Sequence, residues 1–304
     1  MYESTQGENL RGAAMMSASM AGFTVNDAFM KVLLEDMPFY QGLLIRAVIV
    51  GVMIVAFAKF TGGLDLRLTR RDSWIVFWRT VGEVSASFLF ITALMHMPLA
   101  NTTAIMQSLP LTVALAGALF FREPLGWRRL TAIFAGFCGV MLIVRPGTDF
   151  NFYALYALGA VFAVTLRDLA SRQLSPTVRT LPVIFFATIG NAGLGFALFV
   201  LGGGASEPWQ DIGAQQVFLL VGASAFLVVG YAFSVSSMRV GALAVVTPFR
   251  YTAILFALVL GFVVFDDWPD TFTLIGAGIV VLSGLVTLFR EQLAAKRARL
   301  ALNR

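Results

Sequence analysis

Along most of the chain, apolar residues run nearly without interruption for about twenty positions at a time. Such runs are too long for strands and too continuous for one-sided amphipathic helices, so they read as helices surrounded by hydrocarbon. Charges, prolines and Gly/Ser clusters cut them into ten predicted spans: 11–34, 39–60, 74–97, 99–121, 127–145, 150–171, 180–202, 214–238, 241–264 and 270–290. Each has about the length that crosses ~30 Å of hydrocarbon. The predicted fold class is an all-α integral membrane protein with ten transmembrane helices. The connections are short, as in HMPLAN between the third and fourth spans, and no linker marks a separate soluble domain.

Composition sharpens this picture. Of 304 residues, 58% are hydrophobic and only 13% charged, about half the charge of a soluble domain. The acids Glu3 and Glu8 precede the first span where a cleaved signal carries positive charge, so that span is expected to be retained. The net charge of +5 is spread between spans and forms no basic patch, which argues against nucleic acid as a partner. Of the 22 Lys and Arg residues, 17 fall at one set of span ends, from Arg11 through Arg70, Arg71, Arg122 and Arg167 to Arg290 and Arg304. The other ends hold Lys31 and Arg145 among acids such as Asp266, Asp267 and Asp270. The positive-inside rule therefore predicts both termini in the cytoplasm of a bacterial-type inner membrane.

The halves of the chain resemble each other. PLGWRRLTAIFAGFCGVMLIVR from Pro124 aligns with PDTFTLIGAGIVVLSGLVTLFR from Pro269, pairing Gly139 with Gly284 and Arg145 with Arg290. Two five-helix repeats, 1–146 and 147–304, follow. An odd number of spans per repeat requires the second to be inverted, an architecture that places substrate where the repeats meet. The ten-span plan, the duplicated unit and the FREPLGWRRL segment before a Gly-rich helix resemble the drug/metabolite transporter superfamily, in its EamA-type branch. More narrowly the chain is similar to the YddG-type exporters of aromatic and other neutral amino acids. That resemblance implies secondary transport by alternating access, with export of an amino acid as the expected activity.

The residues that stand out are polar ones inside apolar spans, where an unpaired charge costs several kcal/mol. Asp27 and Arg46 fall at matching depths, roughly 10 Å, in adjacent spans and suggest a salt bridge. Arg79 and Glu83 have the spacing of an i,i+4 pair, and Glu83 and Arg250 lie near 13 Å depth. Such pairs are as readily internal staples as binding groups. Three arginines face only two acids, so one guanidinium, Arg250 or Arg79, is expected to take a substrate carboxylate bidentately. Asn26 and Gln107 are candidates for the amino group or a wet path, with Ser85 and Thr92 more simply bonded to their own helices. Trp78 and Tyr251, beside the arginines, are candidates to stack on an aromatic substrate. Pro110 and Pro248 interrupt the fourth and ninth spans and are hinge candidates.

Other chemistries find no support in the sequence. His96 and Cys138 are single and cannot form a common zinc site; Cys138 is expected to be a small packing residue. GGGASEP lacks the lysine of a phosphate loop, so neither ATP nor another cofactor is implied. No histidine–carboxylate or metal constellation points to an enzyme. The expected partners are the bilayer and a small amphipathic metabolite. A drug or sugar-derivative exporter and a membrane channel remain alternatives.

Overall fold

The computed structural model of the protein describes residues 5–60, 66–121, 126–145, 150–175, 177–241 and 243–302. Arg122, Pro124 and Arg304, used in the sequence reading, lie outside them. The elements are α1 Gln6–Asp36, α2 Phe39–Phe60, α3 Arg70–His96, α4 Leu99–Met106, α5 Leu109–Phe121, α6 Trp127–Val144, α7 Tyr153–Arg172 and α8 Thr180–Leu198. A π turn, Phe199–Gly203, leads to the short α9 Gly204–Ser206. Then come α10 Ala214–Val240, α11 Leu243–Val246, a 3₁₀ turn Thr247–Tyr251, α12 Thr252–Phe265 and α13 Thr271–Leu302. No strand occurs among the described residues.

Among the described residues, eight segments are long and apolar enough to cross a membrane: Phe39–Lys59, Arg70–His96, Leu99–Phe120, Tyr153–Arg172, Leu181–Leu201, Ala214–Met238, Thr247–Phe265 and Thr271–Arg290. Two of the ten expected spans are not among them. α1 is long, but Arg11, Asn26, Asp27 and Lys31 dilute its apolar character. The apolar part of α6 runs only from Leu130 to Val144. Large apolar side chains face outward along the helices, Leu201 and Phe120 at 84% and 76% exposure, as lipid rather than water would favour.

Local chemistry sets several boundaries. Thr69 and Asp72 form a capping pair at the start of α3, the Asp72 N–H donating to Thr69 Oγ1 at 3.1 Å and the Thr69 hydroxyl donating back to Asp72 Oδ2 at 2.7 Å. Asp266 closes α12 at φ 52°, where the Asp267 N–H reaches back to the Gly261 carbonyl at 2.9 Å, a Schellman-type stop. Pro110, which has no N–H, follows a turn at Gln107 and Ser108 that separates α4 from α5. Pro248 lies in the 3₁₀ turn between α11 and α12. The fourth and ninth predicted spans are thus both broken helices.

The chain divides into two compact units that interleave in sequence. One comprises Met1–Val25, Met97–Ala154 and Val229–Arg304; the other Asn26–His96 and Leu155–Val228. Each draws helices from both halves of the chain, so the compact units do not follow the boundary at residue 146. Packing explains this, because helices pair across the halves.

In the second unit, a Cβ at Gly195 of α8 would lie 3.0 Å from the Tyr40 carbonyl, whereas Gly51 further along α2 faces Thr188, earlier in α8. α2 and α8 therefore run antiparallel. α3 and α7 do likewise: Gly82 lets the α7 backbone approach at Ala163 and Arg167, and Gly159 faces Leu89. Met30, Leu33, Leu34, Leu43, Ile91 and Leu220 form the core of this unit.

In the first unit, α6 and α13 cross where Gly139 and Gly276 meet. A Cβ on Gly139 would come within 2.8 Å of the Gly276 carbonyl, and one on Gly276 within 2.6 Å of the Gly139 carbonyl. Arg145 at the end of α6 pairs with Asp270 just before α13, so these helices are antiparallel too. α4 packs on α12. The Ser19 hydroxyl donates to the Gly230 carbonyl at 2.7 Å, joining α1 to the late part of α10. Cys138, expected to be a small packing residue, is exposed on α6; Gly136, Gly139 and Val140 occupy the buried side of that helix.

Candidate functional site

Three polar groupings lie inside otherwise apolar helices. The largest joins α3 to α7. Arg79 Nη2 is 3.7 Å from Glu83 Oε2, one turn on, as the spacing predicted. Arg167 Nη1 approaches the same oxygen at 3.4 Å, and its own carboxylate neighbour Asp168 accepts from Arg167 Nε at 2.9 Å. Arg79 Nε donates to Ser171 Oγ at 3.0 Å, and that hydroxyl donates to the Arg167 carbonyl at 2.8 Å. Toward the start of α3, buried Asp72 accepts from both the N–H and the hydroxyl of Ser175, at 3.2 and 2.9 Å. The result is a polar ladder along two antiparallel helices. One donor in it remains unused: the Arg79 Nη1 group is buried and has no hydrogen-bond partner among the described residues.

The second grouping, in the same unit, contains Asn26, Asp27 and Arg46. Arg46 Nη2 donates to Asn26 Oδ1 at 3.1 Å, and Asn26 Nδ2 donates to Asp27 Oδ1 at 2.8 Å. Asn26, only 4% exposed, is thus an amide bridge between the guanidinium and the carboxylate expected to pair. An amide can do this because it donates at one atom and accepts at the other.

The third grouping, in the first unit, lies at the two helix breaks. Gln107, the cap of α4, donates from Nε2 to the Arg250 carbonyl at 2.9 Å. This connects the interruption beside Pro110 with the one at Pro248. Tyr251 is 7% exposed, and its buried hydroxyl has no hydrogen-bond partner among the described residues. The phenol reaches Gly284 of α13 so closely that a Cβ there would coincide with it.

Trp78 is placed differently from the others. It is 43% exposed and packs edge-on against Trp74 and Phe77, in an aromatic strip along the outer side of α3. Thr92 bonds the Phe88 carbonyl of its own helix.

Sequence reading missed Asp72, Arg167, Asp168 and Ser171. The signal for Asp72 was the Thr69–Asp72 capping spacing. Arg167 had been counted among the basic span ends, yet it falls within an apolar run beside an acid, with Ser171 one turn on. Gln41 was also missed. It is fully buried and clamps the backbone of Gln210, donating at 2.7 Å and accepting at 2.9 Å, while the Tyr40 hydroxyl donates to the Glu207 carbonyl at 2.8 Å. Asp270 is held below the ordinary carboxylate range: desolvation pushes it up, but the Thr273 N–H at 2.8 Å and the Arg145 guanidinium outweigh that.

Ionised groups inside helices apolar enough to span a bilayer are costly and mark candidate functional positions of a multi-pass membrane protein. Residues 10–145 match the model of the EamA-like transporter family. The S-adenosylmethionine uptake transporter of Rickettsia felis is 23% identical over 95% of this chain and 96% of its own. The riboflavin transporter of Vibrio cholerae is 27% identical, covering 95% and 96%. The pseudopaline exporter of Pseudomonas aeruginosa is 26% identical, covering 93% and 98%. A solved crystal structure 20% identical superposes with a TM-score of 0.59 over 89% of this chain and 98% of that one, which marks a shared fold. These named relatives are all transporters, and the family model covers residues 10–145 of this chain.

Proposed function

We propose that the protein is a secondary transporter that moves a small carboxylate-bearing metabolite, an amino acid or a compound built on one, across the inner membrane by alternating access. The observation that carries this reading is the buried Arg79 Nη1 group, a charged donor left open inside a ladder whose other members are engaged. A guanidinium that already meets Glu83 and Ser171 is held in orientation, and its remaining edge suits a carboxylate. Gln107, Arg250 and Tyr251, with Pro110 and Pro248, serve as the deformable joint of the broken helices. Asn26, Asp27 and Arg46 serve as a polar lining.

The helix pairing supports two inverted five-helix repeats, 1–146 and 147–304. α2 pairs with α8, α4 with α12 and α6 with α13, which are counterparts in such a repeat. α1 with α10 and α3 with α7 exchange when the halves are exchanged. α1 and α6 then complete ten spans, with both termini in the cytoplasm as the basic residues favour. The named relatives include an uptake transporter and an exporter, and one alternating-access cycle runs either way according to its gradients.

Proteoliposome flux of labelled amino acids, S-adenosylmethionine and riboflavin, with the methyl ester of each carboxylate substrate as competitor, tests the reading. A free carboxylate competes at least tenfold better than its ester, and Arg79→Lys loses that difference. An ester that competes equally well contradicts it. The likeness to a riboflavin transporter favours a second reading, a ring-bearing substrate without a carboxylate, which the same panel detects.

A further inference from the structure

Between α2 and α8 lies a cavity of about 670 Å³ that is independent of the polar groupings. Its walls are apolar: Ala47, Gly51, Val55 and Ala56 from α2, Phe185 and Ala192 from α8. Thr188 also lines it, but its hydroxyl donates to the Ile184 carbonyl at 3.0 Å, and its methyl group is the part that faces Gly51. Among the described lining residues one is charged, Lys59, in the last turn of α2. From Ala47 to Lys59 the helix rises about 18 Å, close to the ~15 Å thickness of a single leaflet.

We infer that this groove is a binding site for an anionic phospholipid. One acyl chain lies along the small residues of α2, and the headgroup phosphate meets the Lys59 ammonium. The geometry commits to that occupant on three grounds. The walls offer no polar partner, so the body of the ligand is hydrocarbon. The groove has the length of one leaflet, so the ligand enters from the bilayer in its normal orientation. The one charge among the described lining residues stands at one end and is positive, and lysine ammonium at a helix end reaches for the interface. Small residues are what make room: a Cβ at Gly51 would find only the Thr188 methyl within 4 Å, at 3.9 Å.

Native mass spectrometry of the delipidated full chain, titrated separately with phosphatidylglycerol and phosphatidylcholine of equal chain length, tests this. The wild type is expected to retain one phosphatidylglycerol about tenfold more tightly than phosphatidylcholine. Lys59→Ala removes that preference, Lys59→Arg keeps it, and Gly51→Leu removes both adducts while the thermal transition stays within a few degrees of wild type. Equal retention of the two lipids by the wild type overturns the inference, as does a preference unaffected by both Lys59→Ala and Gly51→Leu. A dimer that forms in place of the adduct and is lost with Gly51→Leu also overturns it, by assigning the groove to a second copy of the chain. Should Gly51→Leu fail to fold, the Lys59→Ala and Lys59→Arg pair decides alone.

Discussion

At the scale of single residues, the central feature is one carboxylate between two guanidiniums. Glu83 Oε2 serves both Arg79 and Arg167, and the three side chains are 14–21% exposed. Removing its charge leaves two cations facing each other in a poorly hydrated place. Glu83→Gln is expected to cost about 2 kcal/mol, below the value for a fully buried pair because the three side chains are only partly enclosed. Thermal unfolding in detergent measures this; Glu83→Asp should recover most of the loss, and an unchanged transition would remove Glu83 from any structural role. Asp270 permits a statement about pH. Its folded carboxyl titrates below the ordinary value of 3.8, so its contribution is complete above that pH and fades only as pH falls through the lower folded value. The stability difference between wild type and Asp270→Asn should therefore be constant from pH 5 to 8 and shrink below about pH 4. How much of this was legible follows from range. The Arg79–Glu83 pair repeats within one helical turn and could be read directly. The contacts of Arg167 with Glu83 and of Asp72 with Ser175 depend on which segment lies alongside α3, and nothing in a local pattern specifies that neighbour. Asn26 was singled out as polar, but its bridging role required the position of Arg46.

At the scale of elements, glycine governs how near the helices come. Without a hydrophobic force between helices in lipid, close packing of small residues takes over that task. The α6–α13 crossing depends on Gly139 and Gly276 lying against each other's carbonyls, with no space for a side chain. Gly139→Val is expected to destabilise by about 1–3 kcal/mol through overpacking, seen as a lower thermal transition, whereas the same change at Gly278, where a Cβ meets nothing within 4 Å, should be tolerated. The broken helices give a kinetic prediction. Pro110→Ala and Pro248→Ala restore a backbone N–H to segments now split at Gln107–Ser108 and Thr247–Tyr251. If these breaks are joints, each substitution slows turnover roughly tenfold while substrate affinity holds, and unaltered turnover in both would make the breaks mere packing features. The sequence was most informative here: runs of apolar residues located the helices, and two prolines located the interruptions. α1 and α6 were less clear because their length and apolar content do not coincide. The exposure of Cys138 was illegible, since large and small apolar residues alternate around that part of the helix and the buried stripe is chosen by the packing of α13.

At the scale of the whole molecule, helices of the two halves of the chain pair with each other, which is the arrangement the proposed alternating access would use. If the proposed inverted repeats hold, counterpart helices that contact each other exchange roles between the inward and outward states. The basic residues gathered at one set of span ends predict that reporter fusions at either terminus are active in the cytoplasm, and a terminus found outside would undo the ten-span topology. The similarity to transporters of chemically different metabolites fits a scaffold whose lining, rather than its fold, selects the solute. Counterflow in proteoliposomes loaded with unlabelled substrate and diluted into labelled substrate tests the carrier mechanism most directly. A carrier produces a transient overshoot of label inside and a rate that saturates with concentration. A flux that rises linearly without overshoot, accompanied by unitary conductance steps in a planar bilayer, would identify a pore and contradict it.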